Sequence, residues 1–125
     1  MRFRPGQHLR RQSDIRAPRE LGTRADCQTF TIWHLRRNPP ASAVPAVEAL
    51  PRVCFVASRA SVGGAILRNR AKRRLREVFR RHQELLPRDV DMVIVARQAV
   101  NRRPFSELDR KFVEACQRIA AVRNP

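Results

Sequence analysis

The chain lacks most of what a protein needs to build its own catalytic centre or membrane anchor. No stretch approaches the ~18 consecutive apolar residues of a membrane span. The N-terminal Met1-Arg2-Phe3-Arg4-Pro5-Gly6-Gln7 is basic but has no apolar segment of the kind a secretion signal carries. A cytoplasmic protein is expected. Cys27, Cys54 and Cys116 are odd in number, widely spaced and form no C-x-x-C pair, which argues against a disulfide framework and a zinc site. Cys54 and Cys116 stand in apolar patterns that suit a small buried hydrophobe. His8, His34 and His82 have no serine, cysteine or carboxylate at a triad-like spacing. Gly63-Gly64 ahead of Arg68 lacks the spacing of a phosphate-binding P-loop. Asp89 and Asp91 would point the same way at a strand entrance; they could hold a cation, and a solvated strand start is the default reading. No residue is assigned as catalytic or as a metal ligand.

Acids and lysine are also scarce. Eleven acids face 27 basic residues, a net charge of +16 with a pI near 11.8. Self-repulsion at that density costs stability unless a partner or counterions neutralise it. Only Lys72 and Lys111 are lysines. Arginine pairs bidentately with phosphate and stacks on bases, so the bias favours nucleic acid over a lipid surface, where either cation would serve. A genome rich in G and C produces the same bias, and composition does not separate the two sources. The 125 residues suit a single domain, 1–125, with one modest core.

The charge is concentrated in residues 65–86, which contain no Pro or Gly and are rich in helix formers. At about 100° per residue, Leu67, Ala71, Leu75, Val78, Phe79, His82 and Leu86 share a core-facing stripe. Asn69, Arg73, Arg76 and Arg80 line the opposite side, with Arg70, Arg74 and Arg81 on one shoulder and Lys72 on the other. Arg68 falls at the edge of the apolar arc and must project past the helix start or snorkel around it. Eight basic residues stand against Glu77 and Glu84, a local charge of about +6. The exposed face of 68–80 can span successive phosphates, and Asn69, both donor and acceptor, can fix a base edge or sugar hydroxyl.

Around this helix the pattern reads β-β-α-β-α. Residues 1–26 form a basic arm with at most a turn or two of helix on either side of Pro18, whose ring breaks the pattern of Gln12 to Leu21; composition also fits a disordered tail. Thr29 to Leu35 is the first strand, with Phe30, Ile32 and His34 on one face and Thr31, Trp33 and Leu35 on the other. Trp33 on the outer face can stack on an unpaired base or simply pack. Residues 38–51 form a Pro-rich loop, and 52–58 the second strand. Arg59 to Gly64 is a short loop, and 90–97 a strand buried on both faces. The last helix starts at Pro104 or Phe105 and runs to Ala121. This is an α/β two-layer sandwich: a small mixed sheet with helices packed on it and an uncertain N-terminal helix.

Arg68-Asn69-Arg70-Ala71-Lys72-Arg73-Arg74-Leu75-Arg76-Glu77 resembles the R-N-R-x-K-R-x-x-R-[EQ] helix of the bacterial ribonuclease P protein component. Arg52-Val53, Ser58-Arg59, the Gly-containing loop and Val93-Ile94-Val95-Ala96-Arg97 fit the same family, over roughly residues 52–120. The resemblance implies a small basic cofactor of a ribozyme. In that family the RNA subunit, using Mg²⁺, hydrolyses the phosphodiester joining the 5′ leader to mature tRNA, and the endoribonuclease activity belongs to the holoenzyme. It further implies that Arg68, Asn69, Arg70, Lys72, Arg73 and Arg76 contact the catalytic RNA, and that Ser58 and Arg59 border a leader cleft. Trp33 matches a leader-contacting aromatic. A left-handed β-α-β crossover, against the usual rule, is also implied, as are precursor tRNA as a partner and Mg²⁺ held mainly by RNA. The N-terminal part departs from the family: Ile15 stands where a Phe is usual before a Gly such as Gly22, Pro18 intrudes, and the 59–64 loop is about one residue longer. The alternative from the residues alone is a structural ribosomal or general RNA-binding protein without preference for precursor tRNA.

Overall fold

The computed structural model describes residues 7–9, 12–37 and 50–121. The first six residues of the basic arm and the expected Pro-rich loop up to residue 49 lie outside them. Seven elements follow in order: α1 (Gln12–Leu21), β1 (Thr23–Asp26), β2 (Phe30–Arg36), β3 (Arg52–Val56), α2 (Ala65–His82), β4 (Val90–Ala96) and α3 (Phe105–Ala121). The sheet order is β1-β2-β4-β3. β2 pairs antiparallel with β1 and with β4, while β3 runs parallel to β4, so α2 is the crossover between two adjacent parallel strands. This is the mixed α/β architecture that the pattern predicts, with an extra edge strand.

β4 sits second from the β3 edge because its apolar run can be covered on both sides: Val90, Met92, Val93, Ile94 and Ala96 are all inaccessible to solvent. Phe30 and Ile32 of β2, Val53 and Phe55 of β3, and Met92, Ile94 and Ala96 of β4 share one core with the inner faces of α2 and α3. Aromatic rings link these layers. Phe79 of α2 meets Phe55 edge-on at 6.2 Å between centroids and Phe112 of α3 at 6.5 Å, and Phe112 lies 6.5 Å from Phe30. Val93 registers on the other face of the sheet and is still fully buried. α1 packs against β2 and β4 and adds nothing to the α2–α3 core, which puts it on that second face.

Four expectations need correcting. The N-terminal region is not an arm with broken helical turns, because α1 runs unbroken through Pro18. A proline inside a helix costs ~3 kcal/mol, and packing against the sheet outweighs it, as tertiary contacts usually do for short helices; Pro18 itself is buried. Thr23–Asp26 is a strand although Thr-Arg-Ala-Asp carries no strand pattern, because pairing with β2 imposes it. Gly22 makes the sharp transfer from α1 possible: a Cβ there would lie 2.2 Å from the His34 carbonyl oxygen. Leu67, expected in the core stripe, is 43% exposed because it lies in the first turn of α2, and the helical ladder ends at His82 before a 3-10 turn, Gln83–Leu85. Finally, the entrance to β4 is not solvated. Asp91 is buried and accepts from Arg37 Nη1 at 2.6 Å and from Arg52 Nε and Nη2 at 2.8 and 2.7 Å, while Arg36 Nε meets Asp89 Oδ1 at 2.7 Å. The cation those carboxylates hold is guanidinium.

Two measurements test this account. Phe79→Ala removes the ring shared by β3, α2 and α3 and is expected to cost about 3–5 kcal/mol of unfolding free energy; a loss below about 1 kcal/mol would mean that the ring is not the centre of the core. His34 is buried, and desolvation first, then Arg118 and Arg36, holds its pKa below the ordinary value. The unfolded chain therefore protonates before the folded one, so His34 lets the fold keep its full stability above ~6.5 and costs stability as the pH falls below it. Denaturant unfolding at about pH 7 and pH 5 should show that loss, and His34→Gln should remove most of it; a slope unchanged in the variant would assign the effect elsewhere.

Candidate nucleic-acid interface

The basic helix begins at Gly64, whose extended backbone caps it with no side-chain hydrogen bond, and no acid stands in its first turn. The positive end of its macrodipole is thus left to the arginines that follow and to any anion they attract. Gly63 precedes it with φ +124°, a conformation that favours glycine. Asn69, Arg70, Arg73 and Arg76 are exposed, and Arg68, Lys72, Arg74 and Arg80 half-buried. Among the described residues no acid pairs with Arg68, Arg70, Lys72, Arg73 or Arg76. Arg76 holds its guanidinium carbon 5.7 Å from the Phe55 ring centroid, a cation–π contact made by a residue that is exposed overall. Arg80 is different. Its guanidinium is engaged by Glu77 through Nε, at 3.1 Å, and through Nη2, so it is the least available cation on this face.

Arg68 resolves by partial burial. It stands in the first turn, donates its backbone N–H to Gly64 O at 2.9 Å, and keeps a buried Nε without a partner among the described residues. Its Nε is shielded while the residue as a whole is only half-buried, as its place at the edge of the apolar arc implies. His82, at the core side of the far end, lies 2.7 Å from Asp109 Oδ1 and so joins α2 to α3.

The outer sheet face forms the second part of the site. Arg24, Trp33, Val93 and Cys54 register in one row across the four strands. Trp33 is half-buried, with the Arg24 guanidinium 5.9 Å from its ring centroid. In the next row Arg97, just past β4, donates to Thr31 Oγ1 at 2.9 Å and lies 3.5 Å from Asp26 Oδ1. Lys72 contributes to the field at Cys54, countering in part the effect of burial on that thiol. Ser58 and Arg59, at the end of β3, are exposed; Ser58 Oγ accepts the Ser61 N–H at 3.0 Å, leaving its own proton to donate. Trp33, Arg24 and Arg97 thus share one sheet face. Sequence reasoning missed Arg24 and Arg97 as members of it. Arg24 had no signal because its strand had none, whereas Arg97 ends a strand that was legible.

No three His, Cys, Asp or Glu side chains come together as a metal site among the described residues, and no helix there is long and apolar enough to cross a membrane. The arrangement can bind an extended polyanion by charge and stack one aromatic on it.

Comparison with known proteins points the same way. A family model described as ribonuclease P matches residues 3–120. The chain is 36% identical over 113 residues to the ribonuclease P protein component of a Nocardioides species, covering 90% of this chain and 91% of that one. It is 35% identical over 112 residues to the same protein of Streptomyces avermitilis, covering 89% of each. Among solved structures, the RNase P protein of Thermotoga maritima aligns with a TM-score of 0.72 at 24% identity, over 90% of this chain and 96% of that one. That of Staphylococcus aureus aligns at 0.70 and 21%, over 94% and 98%.

The cysteines offer a direct check on the open face. Burial pushes Cys27 up to about 11 and Cys116 up to about 12, so neither is an appreciable thiolate near neutrality. Cys54 is raised by burial too, partly countered by Lys72, but it is half-exposed. Brief alkylation of the folded protein at about pH 8 should give a single adduct at Cys54 by peptide mapping. Labelling of Cys27 or Cys116 first would contradict this packing.

Proposed function

The chain belongs to the ribonuclease P protein family, and from that membership we propose that it binds the catalytic RNA of a bacterial ribonuclease P through α2 and the 5′ leader of precursor tRNA on the outer sheet face. The observation that carries the reading is the run of exposed, acid-free Asn69, Arg70, Arg73 and Arg76 on one helix face, flanked by Arg68 and Lys72. Each phosphate neutralised there releases counterions, so affinity is strongly salt-dependent. Arg80, held by Glu77, adds field more than contact. The leader lies along Trp33, Ser58 and Arg59: the indole stacks on an unpaired base, the serine hydroxyl donates, and the arginine pairs with phosphate. For a base to take the open side of Trp33, Arg24 must move or share the ring, because its guanidinium is already there.

The protein does no chemistry in this reading. Mg²⁺ belongs to the RNA, which hydrolyses the phosphodiester at the leader junction; Asp91, the buried carboxylate nearest to being a ligand, is taken by Arg37 and Arg52. The chain holds two polyanions in register and screens their repulsion, which lowers the Mg²⁺ that the RNA needs. The activity is therefore endonucleolytic only as a holoenzyme, and the setting is cytoplasmic.

Reconstitution tests it. The chain should stimulate cleavage of precursor tRNA by the catalytic RNA at low Mg²⁺, and absence of stimulation would overturn the proposal. Trp33→Ala should weaken binding of precursor tRNA roughly fivefold to a hundredfold, the range for losing one base–aromatic stack, and leave mature tRNA unaffected. Equal losses for both would make Trp33 structural, and equal wild-type affinity for both would mark a general RNA-binding protein instead.

A further inference from the structure

One shoulder of α2 is bound to a second element by two hydrogen bonds that leave polar atoms unmatched. The 3-10 turn Gln98–Asn101 and the residues after it pack along α2. Asn101 Nδ2 donates to Leu67 O at 2.9 Å, and Arg74 Nη2 donates to Arg103 O at 2.6 Å. The two attachment points are seven residues apart, about 10 Å along the helix. Within that span α2 presents Arg70, exposed, one turn before Arg74, and the facing turn presents Arg102, also exposed.

The charge in this seam is uncompensated. Among the described residues no acid pairs with Arg70, Arg74 or Arg102. The acids nearest in sequence are engaged elsewhere: Glu107 with Arg103 at 2.8 Å, Asp109 with His82 at 2.7 Å, and Glu77 with Arg80. Arg74 is the most stressed member. Burial and the neighbouring Arg70 both oppose its charge, with no acid acting the other way. Among the described residues its buried Nε has no partner, and neither has Asn101 Oδ1. An unmatched buried donor on a cation is costly. Turning outward would free Arg74 of that cost and exchange a neutral carbonyl acceptor for a charged one, a stronger bond.

We propose that the seam between α2 and residues 101–103 is a second phosphodiester-binding site, in which Arg70, Arg74 and Arg102 grip the backbone of the same RNA that docks on the outer face of α2. The proposal rests on the RNA-docking reading above and extends it to a second element. Arg70 belongs to both surfaces, so the RNA backbone continues from the helix face around its shoulder. Binding from two elements fixes the angle at which the RNA crosses α2, which a single helix face leaves free to rotate. Arg74 is the moving part: it is folded against Arg103 O in the free protein and turned out to phosphate in the complex.

The test is equilibrium binding of the full-length chain to the catalytic RNA across a salt series, with Arg102→Ala, Arg74→Gln, Arg73→Ala on the outer face, and Arg110→Ala on the exposed side of α3 as a control. Arg102→Ala and Arg74→Gln should each weaken binding about tenfold, the worth of one charge-assisted hydrogen bond, and lower the slope of log affinity against log salt by about one. Arg110→Ala should change neither. If Arg73→Ala weakens binding while Arg102→Ala and Arg74→Gln match the wild type, the seam is not a site and the docking reading stands. If wild type and Arg73→Ala bind the RNA equally, the docking reading fails and takes the seam with it. Arg102 is exposed, so Arg102→Ala folds and decides the matter even if Arg74→Gln unfolds.

Discussion

Phe79 touches Phe55 on one side and Phe112 on the other, and Phe112 touches Phe30; that short chain of rings joins β3, α2, α3 and β2. The rest of the molecule depends on it because α2 is otherwise a helix that repels itself. Its arginines stand one turn apart with few acids to answer them, so like-charge pairs along the helix oppose its formation. Burial of Ala71, Leu75, Val78 and Phe79 must outweigh that repulsion. Large aromatic surfaces are the most effective way to do so on a single stripe. The packed face makes the charged face possible, and the charged face is the one that would meet RNA.

The distribution of the eleven acids follows from the same balance. Asp91 and Asp89 hold Arg37, Arg52 and Arg36 at one end of the sheet, where β2 ends and β3 and β4 begin. Asp109 sits at the α2–α3 contact beside His82 and Arg81. Asp26 lies between Arg24 and Arg97 on the open face. The most buried of these carboxylates, Asp91, stands where arginines pack against protein, while Asp26, Glu77 and Glu107 pair with more exposed arginines. Among the described residues, α2 and the seam behind it carry arginines without an acidic partner, Arg68, Arg70, Arg73, Arg74, Arg76 and Arg102 among them. Those are the surfaces on which a polyanion would complete the electrostatics.

The neighbourhood of Trp33 illustrates how cation and aromatic share one site. Arg24 rests near the indole in the free protein and is itself tethered only by an exposed pair with Asp26 at 3.8 Å, which is worth little in water. A base stacking on Trp33, as proposed, would meet a guanidinium that is weakly held.

Every element with a period of its own can be read from the order of residues. The strands expected at 29–35, 52–58 and 90–97 and the helices expected at 65–86 and from 104 or 105 to 121 lie within a few residues of the observed elements, and the double burial of β4 and the outward row Asn69, Arg73, Arg76 were legible with them, because apolar spacing is written locally and each of these segments buries a continuous face. So was the basic helix as a chemical object, since charge is a property of residues. Only the tertiary structure decided the remainder. Pro18 stays helical because α1 has a sheet to lie on, and Thr-Arg-Ala-Asp is extended because β2 offers it a ladder. Asp91 is a buried clamp because Arg37 and Arg52, 54 and 39 residues away, converge on it. Arg68 Nε is shielded, and Arg74 meets a carbonyl 29 residues on. Each of these depends on a partner distant in the chain, and a residue's own pattern carries no record of which partner the fold will bring to it.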